Sequence, residues 1–442
     1  MTTVKTVMTV GVVAGFFTVT TVPTVLTAQE TYAITNATVV PVSGPRIEKG
    51  TVVIQAGKIL AVGAGVAVPS GAQVIDATGL FVYPGLINSG TQLGLTEIAS
   101  VPGGEDTEEL GDFNPADNTL TAVNPHSELI PVTRVSGVTT VITAAGGGLI
   151  SGAAALIDLS GWTPDEMSIK GRAGMVMSYP RLAGGGFGGG GGGFGGGNQS
   201  PDQQRETRDR QTRALRNYLN DAKAYADLKE HPKANRALEA LGPAIRGEMP
   251  VIFDVQTADQ IRGVLALADT FKLKVILRGA QGAWRFADTL AARKIPVIVG
   301  PTTQMPSPEE PYDAICANAG VLARAGVKIA FQTNDASNAR NLPYNVALAT
   351  AYGLDPDAAL KSITIWPAEI WGVADRYGSI EVGKVANLMV TTGDPLDVRS
   401  VAKQVFIRGR PIPMTDRHTR LYEQFNARPR PASGGAGTRS PS

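Results

Sequence analysis

Between Pro250 and Phe331 the sequence alternates short β-branched runs with amphipathic stretches, and this alternation restricts the fold more than any other feature. Pro250-Val251-Ile252-Phe253 is continuously apolar and reads as a strand buried on both faces. Residues 258–271 then place Ile261, Val264, Leu265 and Ala268 on one face of a helix. Val275-Ile276-Leu277 is the next strand, residues 283–293 the next helix, and Pro296-Val297-Ile298-Val299 the strand after it. A helix ending over residues 322–325 and a strand over 327–331 complete the series. Repeated strand–helix units of this length imply an α/β chain with a parallel sheet covered by helices. So many in one run favour a closed, TIM-like (β/α)8 barrel over an open sheet.

The two ends have a different texture. Residues 32–77 carry short runs such as Thr38-Val39-Val40 and Thr51-Val52-Val53-Ile54, separated by turn clusters at Ser43-Gly44-Pro45 and Ala56-Gly57-Lys58. Residues 379–413 repeat the pattern, with strands at Asn387-Leu388-Met389-Val390-Thr391 and Gln404-Val405-Phe406-Ile407. Val138-Thr139-Thr140-Val141-Ile142 is a further buried strand of the middle section. Residues 183–200 hold a glycine tract that cannot bury enough surface to offset its ordering entropy, and it reads as a surface loop. Residues 203–229 are highly charged, with Leu215, Tyr218, Leu219, Ala222 and Tyr225 as a helical stripe fit to lie on the outside of a barrel.

Residues 1–28 resemble a secretory signal: Lys5, a Thr-diluted apolar run over residues 7–25, and Leu26-Thr27-Ala28 ahead of Gln29 as a cleavage site. The expectation is export to a periplasm or the outside. A net charge of +1 offers nothing to nucleic acid or an anionic membrane. Cys316 is the single cysteine, so no internal disulfide forms, and its apolar neighbours mark it as a buried hydrophobe.

The two β-rich ends around a strand–helix middle resemble the amidohydrolase superfamily. The motifs are Gly57-Lys58-Ile59, Ala61-Val62-Gly63 and Val74-Ile75-Asp76-Ala77-Thr78-Gly79 in the first β part, and Pro84-Gly85-Leu86-Ile87 at the first barrel strand. At the far end they are Trp366-Pro367-Ala368, Gly378-Ser379-Ile380, Ala386-Asn387-Leu388 and Gly393-Asp394-Pro395-Leu396. The resemblance spans residues 32–413, and its nearest flavour is the imidazolonepropionase-like and dihydroorotase-like hydrolases of non-peptide, often cyclic, C–N bonds. It implies a small β-sandwich built from residues 29–83 and 376–415, a barrel over 84–375 with the glycine-rich insertion inside it, and a tail over 416–442 disordered at its end.

The family's chemistry uses one or two divalent metals such as zinc, which acidify a bound water and polarise a carbonyl. The resemblance implies ligands at the C-terminal ends of barrel strands: an H-x-H pair on the first, a carboxylated lysine or a carboxylate on the fourth, a histidine each on the fifth and sixth, and an aspartate on the eighth. Here the first-strand motif continues Asn88-Ser89-Gly90-Thr91-Gln92, with Gly90 and Gln92 at the histidine positions. The lysine strand, placed over residues 174–179, holds no lysine, and Lys170 falls earlier, in a turn. Asp254 and Arg278 stand at the fifth- and sixth-strand positions. Only Asp335, in Thr333-Asn334-Asp335, matches the family's residue. The three histidines do not substitute: His126 reads as a helix-entry residue, His231 lies in a charged loop, and His418 lies past the barrel.

The reading is therefore a barrel without its metal ligands and without a cofactor. Asp254, Arg278 and Asp335 are expected to converge at the mouth, the arginine replacing the metal's positive charge. They either neutralise a vacated site or form a polar pocket with Gly90, Gln92 and Asn334, with Asp335 as a candidate base for metal-free chemistry. An oxygen-only site for Mg or Ca from Asp254, Asp335 and Gln92 is opposed by the charge of Arg278. Two functions follow: an exported hydrolase relative whose C–N hydrolysis is lost or altered, or a non-catalytic protein. The latter holds a small-molecule ligand, associates with itself, or partners an intact amidohydrolase.

Overall fold

The structure is a computed structural model that describes residues 30–98, 101, 103–181, 200–228, 230, 233–308 and 310–428. The signal segment, His231, the glycine tract short of Ser200 and the end of the tail lie outside the described residues.

Five strands open the chain: β1 (Thr31–Val39), β2 (Ile47–Gln55), β3 (Lys58–Ala64), β4 (Gln73–Asp76) and β5 (Phe81–Pro84). Eight follow in the middle: β6 (Leu86–Thr91), β7 (Val138–Thr143), β8 (Ile150–Asp158), β9 (Ser168–Ser178), β10 (Val251–Val255), β11 (Val275–Gly279), β12 (Val297–Val299) and β13 (Ile329–Phe331). Three close the chain: β14 (Leu388–Thr391), β15 (Ala402–Ile407) and β16 (Arg410–Pro411).

The outer strands form one mixed sheet in the order β16-β15-β14-β5-β1-β2-β3, with β4 also paired to β1. Strand β1 meets β2 along one edge, and β4 then β5 along the other, so the sheet forks along it. The turns of the β2–β3 and β15–β16 hairpins touch. A Cβ on Gly409 would lie 2.7 Å from the Gly57 Cα, so this crossing of the N- and C-terminal halves requires glycine.

The middle strands form the barrel sheet, in sequence order from β6 to β13. Its seam is joined where the Thr333 and Asn334 amides donate to the Gly90 carbonyl at 3.1 and 3.0 Å. The interior is apolar, with Ile87, Ile142, Leu156, Val176, Ile252, Ile276 and Ile298 packed around Trp371. Outward residues such as Val251, Phe253, Leu277 and Phe331 meet the surrounding helices. The helix Ala258–Phe271 has the bounds its periodicity predicts. The stretch read as one helix over 283–293 is a 3-10 turn, Gln281–Phe286, followed by a short α-helix, Ala287–Ala292. The charged stripe forms the helix Pro201–Asp227, burying Leu215, Leu219 and Ala222 and stacking Tyr218 on Phe113 at 4.3 Å.

One barrel strand departs from the all-parallel pattern. Strand β8 runs antiparallel to both β7 and β9. The link between β7 and β8, residues 144–149, is too short for a parallel crossover, which needs about a dozen residues. The return link, residues 159–167, holds only the one-turn helix Pro164–Met167. Its sequence, ISGAAALID, is rich in Gly and Ala and carries no β-branched signal after Ile150 until Ile157, so no strand is expected there. Burial on both faces makes it one.

The lower end of β8 fastens the sheet to the barrel. Asp158 is fully buried and accepts hydrogen bonds from Arg408 Nε (2.6 Å), Asn387 Nδ2 (2.7 Å), Thr140 Oγ1 (3.1 Å) and the Tyr377 hydroxyl (3.2 Å). Arg408 also donates to the carbonyls of Glu166 and Met167. Burial and the facing Asp158 carboxylate both raise the pKa of the Tyr377 phenol, keeping it a neutral donor.

Candidate functional site

Strands β10 and β11 pair in parallel register, with Asp254 opposite Arg278. Ile252 and Ile276 point into the barrel, so the residues two positions later stand on the same side, one layer nearer the mouth. There the side chains form a bidentate ion pair, Arg278 Nε to Asp254 Oδ1 at 2.5 Å and Nη2 to Oδ2 at 2.6 Å. The arginine side chain is 10% exposed and the aspartate 33%. Burial alone would depress the guanidinium pKa, but the adjacent carboxylate more than offsets it, and the net shift is upward. Arg278 is a fixed cation.

Across the barrel, Gly90 lies next to the last residue of β6. A Cβ built there would lie 2.4 Å from Gln332 Oε1 and 3.0 Å from Gln332 Cβ. The space that a side chain at position 90 would use is filled by Gln332, which follows β13. Gln332 is 4% exposed and donates from Nε2 to the Gly300 carbonyl at 2.9 Å. Its Oε1 is buried without a partner among the described residues. None of the sequence motifs singles out Gln332. The signal was there: Ala330 points inward, so the residue two later does too.

The other expected residues are present but differently engaged. Gln92 is half-buried past the end of β6, its carbonyl closing a turn with the Leu95 amide. Asn334 is exposed in left-handed backbone at φ 69°, so its amide rather than its side chain serves the seam. Asp335 does not complete a triad with Arg278. Its Oδ1 accepts from the Asn338 amide at 2.7 Å and its Oδ2 from the Asn338 side chain at 2.8 Å, and no ion pair joins it to Arg278 among the described residues. A carboxylate directly after a left-handed residue is well placed to cap the next turn, and local capping outcompetes the longer reach across the mouth.

Lys170 lies within β9 rather than in a turn, at its lower end opposite Leu156. Burial and then the nearby Lys274 lower its pKa. His126 stands ahead of the helix Leu129–Arg134, 6.0 Å from the Trp162 ring, and His418 Nδ1 lies 2.8 Å from Arg340 Nη1. Cys316 is buried, its thiol pKa pushed up by that burial. No group of three His, Cys, Asp or Glu side chains converges among the described residues.

Comparison with known proteins fits this architecture. The model of the amidohydrolase family matches residues 288–412. The amidohydrolase tasK of Hapsidospora irregularis is 24% identical over 365 residues, covering 77% of this chain and 37% of its own length. The chain thus spans well under half of that curated relative. The crystal structure of an amidohydrolase from Thermotoga maritima MSB8 superposes with a TM-score of 0.76 at 26% identity, covering 86% of this chain and 99% of that one. The fold of molinate hydrolase is similar at lower levels, TM-score 0.53 and 18% identity over 87% and 95% of the two chains. With a near-closed barrel, a second sheet built from both chain ends and amidohydrolase relatives of the same architecture, the chain is similar in fold and in part of its sequence to the amidohydrolase superfamily.

Proposed function

We propose that this chain is an exported member of the superfamily in which a protein-only constellation replaces the hydrolytic metal centre, leaving a barrel that binds a small molecule without metal-dependent C–N hydrolysis. The observation that carries the reading is the pairing of Gly90 with Gln332: the first-strand position has no side chain, and a neighbour fills the room one would need. Arg278 supports it, because a buried permanent cation at a barrel-strand end repels a divalent ion. The residues present do not fit a zinc site, which takes several His, Cys or carboxylate ligands. An oxygen-only site from Asp254, Asp335 and Gln92 is no better supported, since Asp254 is committed to Arg278 and Asp335 to Asn338. Asp335 is accordingly assigned to capping rather than to proton transfer.

The test is metal analysis of protein secreted into medium containing zinc, manganese and magnesium, together with assays on cyclic amides and dipeptide-like compounds. Substoichiometric metal and no turnover are expected. A tightly held stoichiometric ion, with hydrolysis abolished by chelation, would overturn the reading. N-terminal sequencing of the same material checks export, with processing expected before Gln29.

A further inference from the structure

We propose that the Asp254–Arg278 pair is a receptor for a small zwitterion, a free α-amino acid or short peptide, with the ligand carboxylate on Arg278 and its ammonium on Asp254. The inference rests on the metal-free reading above and goes on to name the ligand class.

A guanidinium carries five N–H donors arranged as two forks. Asp254 occupies the side-on fork, through Nε and Nη2. The end-on fork, Nη1 with the second hydrogen of Nη2, remains. Nη1 has no partner among the described residues, and it is not among the side-chain atoms sealed from solvent. A side chain nine-tenths buried, anchored on one edge and open on the other, is pre-organised for a planar oxyanion. Asp254 contributes the opposite half. Its carboxylate is one-third exposed, and two of its about four lone-pair sites are used by Arg278. The rest can accept from an ammonium or amide N–H.

Charge selects the class. The pair is neutral overall, so a phosphate dianion on the open fork would face the Asp254 charge, and a simple amine would face Arg278. A ligand with both charges at short separation meets each with its opposite. The residues sit at the C-terminal ends of β10 and β11, the end of a barrel where loops leave room for ligands.

The test is calorimetric titration of the full mature chain with L-alanine, L-alanyl-L-alanine and a panel of other free amino acids and dipeptides. The methyl ester of L-alanyl-L-alanine, N-acetyl-L-alanine and inorganic phosphate are the controls. Binding of zwitterions is expected, lost in the ester and weakened in the N-acetyl form. Arg278→Lys keeps the charge but removes the fork, and should weaken binding about 10- to 100-fold, the worth of a charged bidentate contact. The exchanged pair Asp254→Arg/Arg278→Asp keeps the ion pair, controls for folding through its Tm, and should also lose the zwitterions. No zwitterion binding to folded protein, or equal binding by phosphate, overturns the proposal. So does affinity unchanged in both variants. A metal-free protein that binds no zwitterion sinks this inference alone, whereas a stoichiometric metal sinks the function proposed above.

Discussion

Removing one partner of the Asp254–Arg278 pair should cost stability asymmetrically. In Asp254→Ala the arginine is left without its carboxylate in a site where nine-tenths of its side chain is out of water. Stranding a buried charge in this way costs about 3–5 kcal/mol. In Arg278→Met the aspartate keeps a third of its surface in solvent and is rehydrated, so the loss is closer to that of a hydrogen bond to a charged group, about 1.5–3 kcal/mol. Replacing both, as Asp254→Leu/Arg278→Met, removes the desolvation cost together with the attraction. It should return stability to within about 1 kcal/mol of the parent or above it. Urea denaturation followed by far-UV circular dichroism measures all three, provided the m-values agree. If Arg278→Met proves the worse single change, or the double variant falls below both singles, the reasoning from burial is wrong.

Asp158→Ala should be among the most damaging changes in the chain. It leaves Arg408, Asn387, Thr140 and Tyr377 facing a void, at a cost of about 3–5 kcal/mol by the same denaturation assay. Gly90→Ala should cost about 1–3 kcal/mol through its collision with Gln332. A double-mutant cycle with Gln332→Ala should show that cost largely relieved, and additivity would mean the two do not compete for space. Glu381 accepts from Ser379 Oγ at 2.6 Å and pairs with Lys384 Nζ at 3.0 Å, and these contacts hold its carboxyl below the ordinary 4.5. The unfolded chain therefore takes up the proton first as pH falls, so the contribution is present above about 4.5 and lost below it. Glu381→Gln should flatten that part of the acid limb of a stability–pH curve, and an unchanged slope would count against the assignment.

Sequence by itself determined the layered α/β class, the strands β7 and β10 to β13, the helix Ala258–Phe271 and the residue types at the strand ends. These follow from local periodicity and from the identity of single positions, which no tertiary contact can alter. Gly90 cannot ligate and Arg278 cannot lose its charge in any fold. Three things were decided only by the tertiary structure. The direction of β8 came from the length of its links, and its existence came from burial that an Ala-rich segment does not announce. The bonding of Asp254 to Arg278, with Asp335 turned away to Asn338, came from a contest between a neighbouring strand and a local cap. Gln332 over Gly90, and Asp158 under Arg408, join residues more than two hundred positions apart. Such contacts depend on barrel closure and sheet docking. Periodicity has no term for them, because it reports which face a side chain occupies and not what stands opposite it.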